Sequence, residues 1–207
     1  MFNLSKITAL EGHEITDFER DLAKNLLAIE NENQAQTHLA SLFFNSAERH
    51  TFTAADGSKG MYTLIRCPYR SLHALRKSAD FLIPELEKRF SMPVIMVCRR
   101  NIISPNAIHH PTQKRPRSRT LKAVHQATLE DIVAPSHITG RQIRVSVDGS
   151  RHEKIFLQPL DRALMEPRLE AMASAYEKLT THRVHFEFSK LTAYQQQKQQ
   201  GQKKKNN

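Results

Sequence analysis

Four cations and no anion occupy Gln113 to Arg119: Lys114, Arg115, Arg117 and Arg119. Ammonium and guanidinium groups at this density suit one chemistry, pairing with a polyanion, and arginine can bridge two phosphate oxygens with its planar fork. Pro116 splits the run and holds it extended, because proline fixes its own φ and pushes the residue before it out of the helical region. The predicted form is an extended basic arm. Further cations stand nearby in the sequence or around a later hairpin. Arg99 and Arg100 close an apolar strand, Lys122 follows the arm, and Arg141, Arg144 and Arg151 surround an Asp-Gly turn. Together with the arm, these ten residues are the candidate contacts. The same basic run also fits a nuclear-import address or a solvated loop, so its surroundings must decide.

Other chemistries lack their residues. There is no Gly-rich phosphate loop, no HExxH and no nucleophile elbow. His109-His110 supplies two ligands, and two do not make a metal site. Asp148 and Glu153 flank the hairpin, where a magnesium-nuclease reading competes with plain turn geometry, and the turn suffices. His125 falls on an apolar helix face and reads as a core histidine bonded to backbone. No catalysis, cofactor, metal or small-molecule substrate is expected. Aromatics are sparse near the arm, so recognition through shape and backbone is expected over base stacking, with each neutralised phosphate adding about 0.7 to 0.9 to a log–log salt slope.

The charge is unevenly spread. The chain has 207 residues and a formal charge of +10. Residues 1–60 hold five Lys+Arg against nine Asp+Glu, a balance of −4, and the remainder holds 26 against 12, a balance of +14. Between Glu87 and Glu130 there is no acidic residue and there are nine Lys or Arg. Ordinary solvated surfaces intersperse both signs, so an acid-free window of that length favours an acidic partner. Cys67 and Cys98 sit in apolar, strand-like stretches and read as buried thiols in a reducing compartment. No apolar run approaches the roughly 20 residues that span a bilayer, and no signal-peptide core is present, so a soluble intracellular protein without a membrane partner is expected.

These cations need elements to hold them. Thr16-Asp17-Phe18-Glu19 has capping-box spacing, and Phe18, Leu22, Leu26 and Ile29 follow as a stripe, which predicts a helix over 16–30. A second helix is predicted over 34–46. Asp56 to Gly60 is a turn, and Met61 to Cys67 a strand ended by Pro68. An amphipathic helix is predicted over 71–91, with a kink or break at Pro84. Residues 93–99 form an apolar strand, covered on both faces or central in a sheet. Residues 101–120 form the irregular basic arm. Leu121, Val124, His125, Thr128, Leu129 and Ile132 then mark one face of a helix over 121–133, stopped by Pro135. Arg141 to Leu157 reads as a hairpin about Asp148-Gly149. A last helix runs from Leu164 to Leu179 with Pro167 in its first turn, and Val184 to Phe188 is a last strand. No internal repeat is legible. Residues 194–207 collapse to Gln, Lys, Gly and Asn and read as a disordered tail.

Several stretches carry a resemblance. They are Lys114 to Leu121 (KRPRSRTL), Ala123-Val124-His125, Leu129 to Val133 with Pro135, and Arg141-x-Ile143-Arg144 to Asp148-Gly149-Ser150-Arg151. Glu87 to Ser91, Arg99-Arg100, Tyr176 to Thr180 and Val184-x-Phe186-Glu187-Phe188 extend it more thinly. The chain resembles the eukaryote-specific ribosomal protein seven of the small (40S) ribosomal subunit. The likeness is dense over 114–151 and one of pattern in the N-terminal helices. It implies a structural component bound to small-subunit ribosomal RNA and to neighbouring ribosomal proteins, working in the cytoplasm after assembly in the nucleolus. It implies RNA contact by Lys114, Arg115, Arg117 and Arg119, with Arg99 and Arg100. Two features depart from the family: the tail after Tyr194, and His109-His110 where relatives carry more Lys and Arg.

The expectation is therefore a single α+β domain over 1–193, with a mixed or antiparallel sheet packed by helices and a basic arm projecting from it. Its expected function is structural, in ribosomal RNA binding, subunit assembly and RNA maturation. The rival is a nuclear protein–protein adaptor whose acidic N-terminal helices dock a partner and whose basic run is only an import signal.

Overall fold

The computed structural model describes residues 6–8, 12, 14–33, 37–54, 57–104, 106, 116–149 and 151–189. His109-His110, Lys114, Arg115 and the tail expected over 194–207 lie outside the described residues.

Helix α1 (Asp17–Glu32) begins where the capping box predicts. Thr16 Oγ1 accepts from the Glu19 amide at 3.3 Å, and Glu19 Oε2 accepts from the Thr16 amide at 2.9 Å. The second Glu19 oxygen accepts from the Ala47 amide at 2.9 Å, so the cap also ties α1 to the first strand. Thr16→Ala is expected to cost about 1 kcal/mol, read as a lower denaturant midpoint at unchanged slope.

The helix expected over 34–46 does not form. Thr37–Ser41 is a short 3-10 turn, and Ser46 already opens a strand. Of the apolar spacing Leu39, Leu42 and Phe43, the first two are buried and Phe43 is half-buried, while Phe44, off that spacing, is fully buried; a tight turn buries them as well as a helix would. Asn45 and Ser46 are poor helix formers and favour the exit.

Strand β1 (Ser46–Thr53) was missed, and it pairs antiparallel with β2 (Lys59–Cys67). Gly57, at φ +77°, closes the turn between them, its amide donating to Ala54 O at 2.9 Å. Helix α2 (Leu72–Phe90) runs through Pro84 as one helix, so of the expected kink or break the break does not occur. Leu82, Ile83 and Leu86 are buried on either side of the proline, and that packing offsets the missing hydrogen bond. Strand β3 (Val94–Cys98) then pairs parallel to β2. It lies at the sheet edge yet is buried throughout, because its alternate side chains enter two different cores.

The second half repeats this order. Helix α3 (Leu121–Val133) ends before Pro135, whose bond to Ala134 is cis. Strands β4 (Ile138–Val145) and β5 (Arg151–Leu157) pair antiparallel. Pro167 falls in a 3-10 turn that divides the expected last helix into α4 (Arg162–Met165) and α5 (Leu169–Thr180). Strand β6 (Val184–Phe188) pairs parallel to β5. Each half is thus helix, hairpin, helix, parallel strand, with sheet orders β1-β2-β3 and β4-β5-β6. A faint echo survives in the sequence. Glu87-Lys88-x-x-Ser91-x-x-Val94 and Glu177-Lys178-x-x-Thr181-x-x-Val184 end α2 and α5 alike. Ser91 (φ 54°) and Thr181 (φ 61°) are left-handed caps whose amides return to Glu87 O and Glu177 O at 2.8 and 2.7 Å.

The fold is therefore α+β with two mixed three-stranded sheets. One core joins α1, α2 and one face of the first sheet. The other joins the opposite face of that sheet, through Tyr62, Leu64, Ile95 and Val97, to α3, α5, β5 and β6. Cys67 and Cys98 are free, buried and directly paired across β2 and β3. Burial first, then the Asp131 carboxylate, pushes the Cys98 thiol up to about 12, and the pair is chemically quiet.

Candidate nucleic-acid interface

Because β2 and β3 run parallel, their carboxyl ends share one edge of the first sheet, the usual place for a ligand crevice in such sheets. β1 is antiparallel, so its entry, Asn45, lies there too. A cleft of about 970 Å³ opens at this edge. The sheet supplies Asn45, Arg99, Arg100 and Asn101, and the turn into α2 supplies Pro68, Tyr69, Leu72 and Arg76. The end of the arm and the first turns of α3 supply the other wall, with Ser118, Arg119, Ala123, Gln126, Ala127 and Glu130.

The arm is anchored at its carboxyl end. Pro116 is extended (φ −69°, ψ 127°), and Arg117–Arg119 forms one 3-10 turn. The Ile103 amide donates to Arg119 O at 2.9 Å, which ties the turn to the segment leaving β3. Thr120 Oγ1 donates to Arg117 O at 2.8 Å. Arg117, Arg119 and Lys122 are exposed, as is Arg99 across the cleft, and among the described residues none of the four makes an ion pair. Four uncompensated cations at one edge concentrate positive potential there.

The other candidates are placed differently. Arg100 is turned inward, with its side chain 9% exposed, and both its Nη atoms donate to Asp131, at 2.5 and 3.0 Å. Burial would lower its basicity, but the hydrogen bond and charge of Asp131 outweigh that and hold it above the usual arginine value. Asp131 also accepts from the Cys98 amide at 3.1 Å, so the pair locks α3 to the end of β3. Sequence reasoning put Arg100 with the surface cations because its partner lies a whole arm and helix away.

The hairpin cations divide. Arg141 and Arg151 lie on the face of Glu153, which is buried and ion-paired with both, at 3.4 Å for Arg151. Arg144 lies opposite His152 on the other face and is exposed. Glu153 is thus spent on arginines, and the carboxylate considered for a metal serves the hairpin. Ile143, Val145 and Val147 alternate as expected, yet all three are exposed, the first two on β4 at the edge of its sheet and the third in the turn beyond it. His125 is half-buried and meets His182 edge to face at 5.4 Å. Burial, then the neighbouring imidazole, lowers its pKa. Among the described residues no group of three or more His, Cys, Asp or Glu could hold a metal, and no helix is long and apolar enough to cross a membrane.

Two residues of the cleft went unnoticed in the sequence. Tyr69 is an aromatic 64% exposed, and it shares the cleft with Arg119 although the two are far apart in the chain. Asn45 is 5% exposed, and its Oδ1 has no hydrogen-bond partner. No local pattern marks either one, since only the strand pairing brings them together.

Fold and site define a class, an α+β protein of two mixed sheets whose unpaired cations border a cleft at one sheet edge. A family model described as Ribosomal protein S7e matches residues 6–188. The small ribosomal subunit protein eS7 of Avicennia marina is 41% identical over 187 residues, covering 89% of this chain and 96% of that protein. Protein eS7z of Arabidopsis thaliana is 37% identical over 185 residues, covering 88% and 94%. The eS7 protein of Drosophila melanogaster is 36% identical over 188 residues, covering 89% and 94%. The chain belongs to the ribosomal protein S7e family.

Proposed function

We propose that this protein is a structural constituent of the small ribosomal subunit, holding ribosomal RNA by its phosphates and neighbouring ribosomal proteins by its folded surface. The observation that carries this reading is the pair of exposed, unpaired cations Arg99 and Arg119 lining one cleft, with exposed Arg117 and Lys122 next to Arg119 in the chain, in a member of this family. Such groups keep their full charge for an incoming phosphate, whereas an ion-paired cation must first give up its partner. Arg144 extends the surface at the hairpin tip, and Lys114 and Arg115 continue the arm. Arg100, Arg141 and Arg151 contribute mainly by holding their elements in place, since each is already committed to a carboxylate.

The protein works on the cytoplasmic ribosome and passes through the nucleolus, where it takes part in subunit assembly and RNA maturation. It needs no cofactor and turns over no substrate. Sedimentation of the tagged full chain tests this. The protein is expected with small subunits, retained through a moderate salt wash. Recovery only in RNA-free fractions would favour the adaptor alternative, in which the basic run is an import address.

A further inference from the structure

We propose that the cleft at the carboxyl edge of β2 and β3 receives one unpaired RNA nucleotide, with its base on the Tyr69 ring and a base donor on Asn45 Oδ1. This rests on the reading that the chain binds RNA, and it adds a recessed base site to a backbone-binding surface.

Three observations converge on the cleft. Tyr69 exposes a large aromatic face there, and every base has a π-face to stack on it. Asn45 also lines the cleft, and its Oδ1 is a buried acceptor with no hydrogen-bond partner, which costs free energy; that oxygen is closed to solvent, so the side chain must turn to offer it to a base. An N–H of a base edge, such as an exocyclic amine, is the complement of that atom. Arg99 and Arg119 stand at the rim as unpaired cations within reach of the flanking phosphates.

One carboxylate, Glu130, also lines the cleft, and Arg76 faces it at 3.6 Å. An aromatic face, a buried acceptor and flanking arginines together describe a nucleotide better than a peptide side chain.

The test uses the full-length protein and two labelled oligomers, a wholly abasic nonamer and the same nonamer with one central adenosine. Binding is read by fluorescence anisotropy at low salt. The adenosine oligomer is expected to bind about 5- to 150-fold more tightly, the range for one stacked base. Tyr69→Ala is expected to erase that gap and Tyr69→Phe to keep it. Asn45→Ala is expected to narrow it, with thermal melts showing that the variants are folded. Equal affinity for the two oligomers, or a gap that survives Tyr69→Ala, would overturn the base site while leaving phosphate binding intact. If neither oligomer binds while structured RNA does, the base site falls and phosphate binding stands; if structured RNA does not bind either, the RNA reading falls with it. If free AMP binds more tightly than the adenosine oligomer, the cleft is a mononucleotide site and the RNA assignment is wrong.

Discussion

Reversing Arg99, Arg117 and Arg119 to glutamate is expected to lower affinity for structured RNA by about 100-fold or more. Every phosphate that is no longer neutralised takes about 0.7 to 0.9 off the log–log salt slope, so the triple variant should show a slope shallower by about 2 to 3. Titration at several salt concentrations measures both quantities. Stability is expected to stay level, because all three side chains are exposed and none makes an ion pair among the described residues. Loss of subunit incorporation with unchanged thermal unfolding would then be a binding defect. The adaptor alternative expects mislocalisation with normal partner binding, and an unchanged salt slope would decide for it.

Arg168→Ala carries the largest expected loss of stability, about 3–5 kcal/mol. The Arg168 side chain is 2% exposed and stands at the seam of the two halves. Its Nε is 2.9 Å from Glu87 of α2, and its Nη2 donates to Val94 O of β3 at 2.8 Å. Nη1 reaches Ala134 O, just past α3, at 3.5 Å. Burial lowers the basicity of this guanidinium, and the Glu87 charge partly opposes that shift. Truncation leaves Glu87 without its counter-charge, Val94 O without its donor, and a cavity. In a chain of this size the midpoint of thermal unfolding should fall by roughly 6 to 20 °C. Arg168→Met with Glu87→Gln should recover part of the loss, since an apolar replacement of both partners avoids a stranded charge. A single variant within about 1 kcal/mol of the parent would show that the seam is held by apolar packing alone.

Arg168 also shows where sequence reading stops. It follows Pro167 in an ordinary-looking helix start, and nothing nearby marks it as the most enclosed arginine among the described residues. Arg100 and Arg99 are adjacent and alike in the sequence, yet one is locked on Asp131 and the other faces solvent. The hairpin cations divide in the same way. A pleated strand sends neighbours to opposite faces, but which face meets a buried Glu153 depends on cross-strand register.

Local signals were read well where local energies decide. The α3 boundaries follow from Pro116, the apolar period and Pro135, and the capping box at Thr16 and the turn at Gly57 need only adjacent residues, whereas the hairpin at Asp148-Gly149 closes at Val145 and Arg151, wider than the two-residue turn that Asp-Gly suggests. The charge asymmetry and the family likeness are likewise properties of the chain as written. Tertiary structure decided the rest. It divided the strands into two sheets and made turn and strand of residues 37–46, where a helix was expected. It buried some cations against carboxylates and left others open, and it brought Tyr69, Asn45 and Arg119 to one cleft. The physical reason is that ion pairs, strand partners and clefts are set by contacts between residues distant in the chain, for which neither the 3.6-residue nor the 2-residue period carries a signal.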